Sequence, residues 1–300
     1  MENLGEATWT ARRDAHEERV DAWLAPVLAR RRTGTPHPVE DFLFTYYAQR
    51  PAALRRWHPG FGVGLVGGSD YAELTGYTVR DGVAHVTVQH VEQRHGLITT
   101  LHRLLSATAA RPAQLGCFGL HEWAMVYRAE PADLRHRDWP LRLGTTGTDE
   151  VVESHRVACT HFDAFRFFTP PAVPRNTVSP GPRDRPAFEQ PGCLHAGMDL
   201  YKHAFRLSPM VASELVADCF ELARDIRRLD MRASPYDLSG LGFSPVPIET
   251  VAGKQEYVAA QRGFAERGAP LRARLVTECD RLLSRRSPRR GRRDAPRGRA

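Results

Sequence analysis

Lysine is nearly missing from this 300-residue chain: Lys202 and Lys254 stand against forty arginines. A bias of that kind follows a GC-rich genome, so the arginine count alone is a weak sign of nucleic-acid binding. Long apolar runs are missing too. No stretch reaches the roughly 20 apolar residues that span a bilayer, and the acidic start Met1-Glu2-Asn3-Leu4-Gly5-Glu6 lacks the apolar core of a signal peptide. The expectation is a cytoplasmic protein with no membrane partner. Five cysteines (Cys117, Cys159, Cys193, Cys219, Cys279) are odd in number and widely spaced, which argues against a disulfide framework and for a reducing compartment. Cys-x-x-Cys, His-Glu-x-x-His and Cys-x-x-Cys-His are all absent, so no familiar ligand spacing announces a metal. There is no internal repeat.

What is present is ordinary globular material, 42% hydrophobic and 26% charged, at the upper end of the length one core can serve. The net charge of +7 has one source. Residues 281–300 hold nine arginines and one aspartate, leaving 33 basic and 34 acidic residues elsewhere. The segment 284–300, rich in Arg, Pro and Gly, is expected to be disordered and drawn to polyanions such as DNA. A neutral extension fits its composition equally well. Residues 1–283 are expected to form a single large, mainly α-helical domain with a small β-hairpin or sheet insertion at about 62–88.

The spacing of Val20, Trp23, Leu24, Val27 and Leu28 predicts a long amphipathic helix over 9–32, ended by Thr33-Gly34-Thr35-Pro36. Residues 39–47 read as a buried helix that restarts after Pro51. Tyr77–Arg80, Asp81-Gly82 and Val83–Val88 read as a hairpin with a two-residue turn. Helices are expected over 97–110, 120–128 and 194–229, and over 257–283 with a break at Gly268-Ala269-Pro270. The β-branched stretch 151–168 reads as extended. Seven prolines between Pro170 and Pro191 predict a long exposed loop.

Three short segments concentrate reactive groups. In Cys117-Phe118-Gly119-Leu120-His121-Glu122-Trp123, Cys117 and His121 would share a helix face. In His155 to Asp163, an extended chain would place His155, Cys159, His161 and Asp163 on one side. In Gln190 to Lys202, the residues His195, Asp199 and Lys202 fall at i, i+4 and i+7 of a helix. Each segment pairs a histidine with a carboxylate, which suits general acid–base work and also offers donors for zinc or iron. Any one such histidine is more often a hydrogen-bonded core residue than a functional one; three clusters together carry more weight. A further constellation, Tyr46, Tyr47, Arg50, Arg55, Arg56, Trp57 and His58, could hold phosphates and stack bases. Its plainer reading puts the aromatics in the core and Arg55 and Arg56 in solvent.

The strings His37 to Tyr47, Cys117 to Tyr127, His161 to Pro170 and Glu189 to Lys202 resemble an actinobacterial family of this length named 3-methyladenine DNA glycosylase. The resemblance covers nearly the whole chain except the basic tail, although no glycosylase hairpin or tandem helical repeat accompanies it. It implies a DNA-repair hydrolase that removes alkylated purines. Such an enzyme flips the base, stacks it on aromatics and stabilises a cationic transition state with a carboxylate. Asp199 and Glu122 would be the carboxylates, with His195, His121, His161 and Asp163 beside them. Trp123, Tyr127 and Tyr201 would form the stacking wall, and Lys202 would be the ion-pair partner of Asp199. Two other readings stay open. One is an enzyme that uses iron or zinc, through His121, Glu122, His161, His195 and Asp199, on a small molecule. The other is a nucleic-acid-associated protein without catalysis.

Overall fold

The computed structural model describes residues 1–300 except 131, 133, 135–137 and 285–300. The Arg-rich tail expected to be disordered therefore lies, beyond Ser284, outside the described residues.

The molecule is mainly α-helical with one small sheet. Helix α1 (Glu6–Thr33) buries Trp9, His16, Val20, Leu24 and Val27 along one stripe and ends at Gly34 in the left-handed conformation. Two short helices, α2 (Phe42–Tyr46) and α3 (Pro51–Arg55), follow. Strands β1 (Glu2–Leu4), β2 (Val63–Val66), β3 (Tyr77–Arg80) and β4 (Val83–Val86) pair in the order β1-β2-β4-β3. Only β1 and β2 run parallel. The expected hairpin is β3–β4: Asp81 at φ 51° and Gly82 at φ 74° make the turn whose twist suits paired strands. Trp9 on α1 donates its indole N–H to the Val66 carbonyl and ties sheet to helix.

Helices α4 (Val88–Gln93), α5 (His95–Ala109), α6 (Leu120–Ala124), α7 (Gly144–Ser154), α8 (Phe162–Phe165) and α9 (Arg185–Phe188) lead into the largest unit. There α10 (Leu194–Leu207) and α11 (Ser213–Arg232) pack on each other, and α12 (Val251–Leu283) lies against both and against α5. No helix among the described residues is long and apolar enough to cross a membrane. All five cysteines are free.

Four local expectations need correction. Residues 151–154 close α7 instead of forming a strand, because Thr148, Val151 and Val152 meet the core at helical spacing. The period-two face of His155, Cys159, His161 and Asp163 therefore does not exist. Cys117 and His121 do not share a helix face, since Gly119 at φ 70° starts α6 only after it. The proline-rich stretch 170–191 is exposed only in part. Ala172, Asn176, Glu189 and Gln190 are buried, and Asn176 bonds the backbone of Cys159 in both directions. Finally, α12 runs unbroken through Gly268-Ala269-Pro270. Packing against three helices outweighs the one backbone bond a proline removes.

Candidate functional site

The turn before α10 fixes the site. Gln190 accepts from the backbone N–H of Gln114 and Gly192 and gives its amide N–H to the Gln114 carbonyl. Gly192 lies so close to the Gln114 backbone that no side chain fits there. Helix α10 then carries His195, Asp199 and Lys202 inward at i, i+4 and i+7, as the sequence predicts.

The predicted catalytic residues meet in one network. Lys202 Nζ bonds Asp163 at 2.9 Å and reaches Asp199 at 3.3 Å. Asp199 Oδ2 lies 3.4 Å from His161 Nε2. The His161 and His195 rings are 5.2 Å apart, and those of His195 and His121 4.5 Å. Asp230 Oδ1 lies 3.0 Å from His121 Nε2. Arg227 Nη1 donates to Asp230 Oδ2 at 3.1 Å and to Glu122 at 3.0 Å. Every member except Lys202 and Asp163 is buried.

The two ends of this network differ. Asp199 is saturated: Tyr47 O–H donates to one oxygen at 2.8 Å, and Arg185 Nη2 to the other at 2.6 Å. Burial opposes its ionisation, but His161 and then Lys202 hold it well below the usual carboxylate range. A carboxylate with this many donors is a fixed charge that orients its neighbours. It is poorly suited to taking a proton.

At the other end His121 Nε2 and Asp230 Oδ1 form a buried ion pair at 3.0 Å whose geometry falls short of a hydrogen bond, while Arg227 Nε and Nη2 have no acceptor. A ring nitrogen of His195 completes a set whose ligand atoms all lie within 4.8 Å of one another. Two imidazoles and a carboxylate converging this way are what iron(II) or zinc takes as three protein ligands, leaving further positions open. Burial, and then the His121 ring, pushes the His195 pKa well below its ordinary value, which keeps a lone pair for a metal. Burial works against protonation of His121 as well, but Asp230 and Glu122 outweigh it and raise its pKa. Glu122 and Asp230 share one guanidinium nitrogen of Arg227.

Asp230 and Arg227 were not singled out from the sequence, nor were Arg185 and Glu189. For the first two a signal exists. They follow Ala223 at i+4 and i+7, on the stripe of α11 that otherwise buries Leu215, Cys219, Leu222 and Ile226. Charges on an inward stripe need partners inside.

Of the predicted binding residues, Lys202 joins this network and the others do not. Trp123 is fully buried, donates to the Ala233 carbonyl and has Arg142 over its ring. Tyr201 packs against Tyr47, Phe205 and Phe220. Neither ring has a face for a base. Tyr127 is held by Glu153 and Arg175 away from the histidines. Arg55 pairs with Glu17 and Asp21 of α1. Arg56, with Arg50 and His58, lines a separate surface concavity, while Trp57 is core. The core reading of that basic–aromatic constellation holds for Trp57, while Tyr46 and Tyr47 are half-buried.

Two small cavities flank His195. One, of about 20 Å³, is lined by His121 and His195 together with Leu120, Val157, Cys159 and Cys193. The other, of about 10 Å³, has Arg227 and Glu122 beside Phe42, Tyr46, Met125 and Phe167. Comparison with known protein families, with curated proteins and with solved structures finds no match for the chain.

Proposed function

We propose that the protein is a metal-dependent enzyme acting on a small molecule, with His121, His195 and Asp230 as the three protein ligands of one iron(II) or zinc ion. The observation that carries this reading is the convergence of His121, His195 and Asp230, whose ligand atoms all lie within 4.8 Å of one another, with His121 Nε2 and Asp230 Oδ1 3.0 Å apart. The ion would supply Lewis acidity or redox chemistry.

The chain's own residues do the rest. Arg227 orients Asp230 through Oδ2 and leaves Oδ1 to the ion. Glu122, on the same guanidinium, is the nearest further carboxylate and can accept a proton from a bound group. Fixed charge on Asp199, Arg185 and Lys202 holds His161 behind the centre.

The base-excision reading that the family resemblance suggests ranks second. A flipped purine is far larger than either cavity beside His195, and Asp199 has its oxygens occupied. Two assays separate the readings. Metal-stripped protein offered iron(II) or zinc should bind a single ion and melt higher in its presence. Incubation with methylated duplex DNA should release no 3-methyladenine above background. Base release without metal would reverse the ranking.

A further inference from the structure

The cavity shared by His121 and His195 is walled differently from the aromatic one. Apart from the two histidines its lining is chiefly aliphatic groups and thiols: Leu120, Val157 and Leu194, with Cys117, Cys159 and Cys193. All three cysteines are free and at least half-buried, and they act as small apolar surfaces. Gln190 also borders the space, but its amide is committed to the Gln114 and Gly192 backbone. At about 20 Å³ the space admits one or two water-sized molecules and no organic substrate. Water is stably held only where it finds two or more polar partners, and here Thr160 brings the only hydroxyl.

The chamber has an outer neighbour. A surface vestibule of about 240 Å³, containing Gln114, Phe118, His155 and Arg156, shares Cys117, Leu120, Ala158 and Gln190 with it. These four residues form the partition between solvent and the space beside the histidines.

We propose that this inner chamber is a binding site for a small neutral diatomic, dioxygen, which enters from the vestibule across the Cys117–Leu120–Ala158 partition and rests against the open side of the His121–His195–Asp230 centre. The inference rests on the metal reading above and narrows it to iron(II). It concerns binding alone. A largely apolar space of this size next to the two imidazoles admits no organic molecule, and a small neutral gas fits it.

Nitric oxide is the probe. The full chain is loaded anaerobically with iron(II), its iron content and melting temperature are measured, and the high-spin iron–nitrosyl EPR signal is titrated. Ala158→Phe fills the partition without touching a ligand, and should keep its iron while weakening or slowing nitric oxide binding by on the order of tenfold or more. Ala158→Leu serves if the larger side chain prevents folding and should give a smaller effect in the same direction. Phe167→Trp, on the aromatic side, should leave nitric oxide binding unchanged. An iron-loaded Ala158→Phe or Ala158→Leu that binds nitric oxide like the wild type overturns the chamber proposal and leaves the metal reading standing. Wild-type protein that takes up no iron overturns both.

Discussion

His121 Nε2 and Asp230 Oδ1 face each other at 3.0 Å inside the protein as a buried ion pair, and against the effect of burial Asp230 raises the His121 pKa. They come from elements far apart in sequence, α6 and α11, and each is held by its own helix. Arg227 fixes the second oxygen of Asp230, so the carboxylate cannot simply turn. The geometry of this pair sets the expectations that follow.

Arg227→Met removes the guanidinium that Glu122 and Asp230 share. Two buried carboxylates would then lose their shared cation. Breaking a buried pair from one side costs about 3–5 kcal/mol. Urea denaturation of metal-free protein should show a loss of that size. A loss below about 1 kcal/mol would mean that the carboxylates find other partners or take up protons at little cost.

Tyr47→Phe deletes the hydroxyl that donates to Asp199 Oδ1 at 2.8 Å. Arg185 and Lys202 stay on the other oxygen. The expected cost is about 1–3 kcal/mol, because a buried charged acceptor loses one of several donors. Metal affinity should hardly change, since Asp199 is not a ligand. A variant that lost its metal while keeping its fold would place Asp199 nearer to the centre than the structure puts it.

Acid should weaken the fold well above the range in which carboxylates titrate. Burial lowers the His58 pKa to about 4 and the His203 pKa to about 3, from 6.5. Between those values the unfolded chain binds protons that the folded one does not. Their contribution is therefore intact above 6.5 and is lost as pH falls towards 4 and then 3, at ~1.4 kcal/mol per pH unit for each histidine. His16, His37 and His90, also lowered by burial, act in the same sense, while His121, raised by Asp230, acts against them. Stability measured at about pH 7, 6 and 5 should fall, and His203→Gln should flatten the slope. A flat profile in the wild type would contradict neutral burial of these rings.

Gly192→Ala tests how the start of α10 is positioned. Any Cβ at 192 would strike the Gln114 backbone, which the Gln190 amide holds in place. The turn must shift, and His195 is only three residues further on. The variant should lose stability, and its metal affinity should fall by on the order of tenfold, about 1.4 kcal/mol. Unchanged affinity would show that α10 holds its place without this joint.

Much of the site could be read in the sequence, because three of its segments each carry a histidine next to a carboxylate. The helical spacing of His195, Asp199 and Lys202 was enough to place all three on one face. The fourth segment escaped for a physical reason. Arg227 and Asp230 sit in a helix with many charges, and an i, i+3 ion pair usually lies in solvent. Only their phase against Leu222, Ala223 and Ile226 marks them as inward. Arg185 and Glu189 were hidden by prolines, which mark irregular backbone whether it is exposed or, as here, folded against the core. The hairpin at Asp81-Gly82 was legible because its turn chemistry is local. The state of 151–168 was not, because β-branched residues suit a strand and a buried helix face alike until the core decides.

The most direct measurement is the stoichiometry and affinity of iron(II) and zinc for wild-type protein and for His121→Ala, His195→Ala and Asp230→Asn, with circular dichroism as the control for folding. The account predicts a single ion bound by the wild type and a loss of affinity of about a hundredfold or more in each folded variant, equivalent to about 2.7 kcal/mol for one ligand. Wild-type protein that binds no metal, or folded variants that bind it as tightly as the wild type, would contradict the assignment of these three residues as a metal centre.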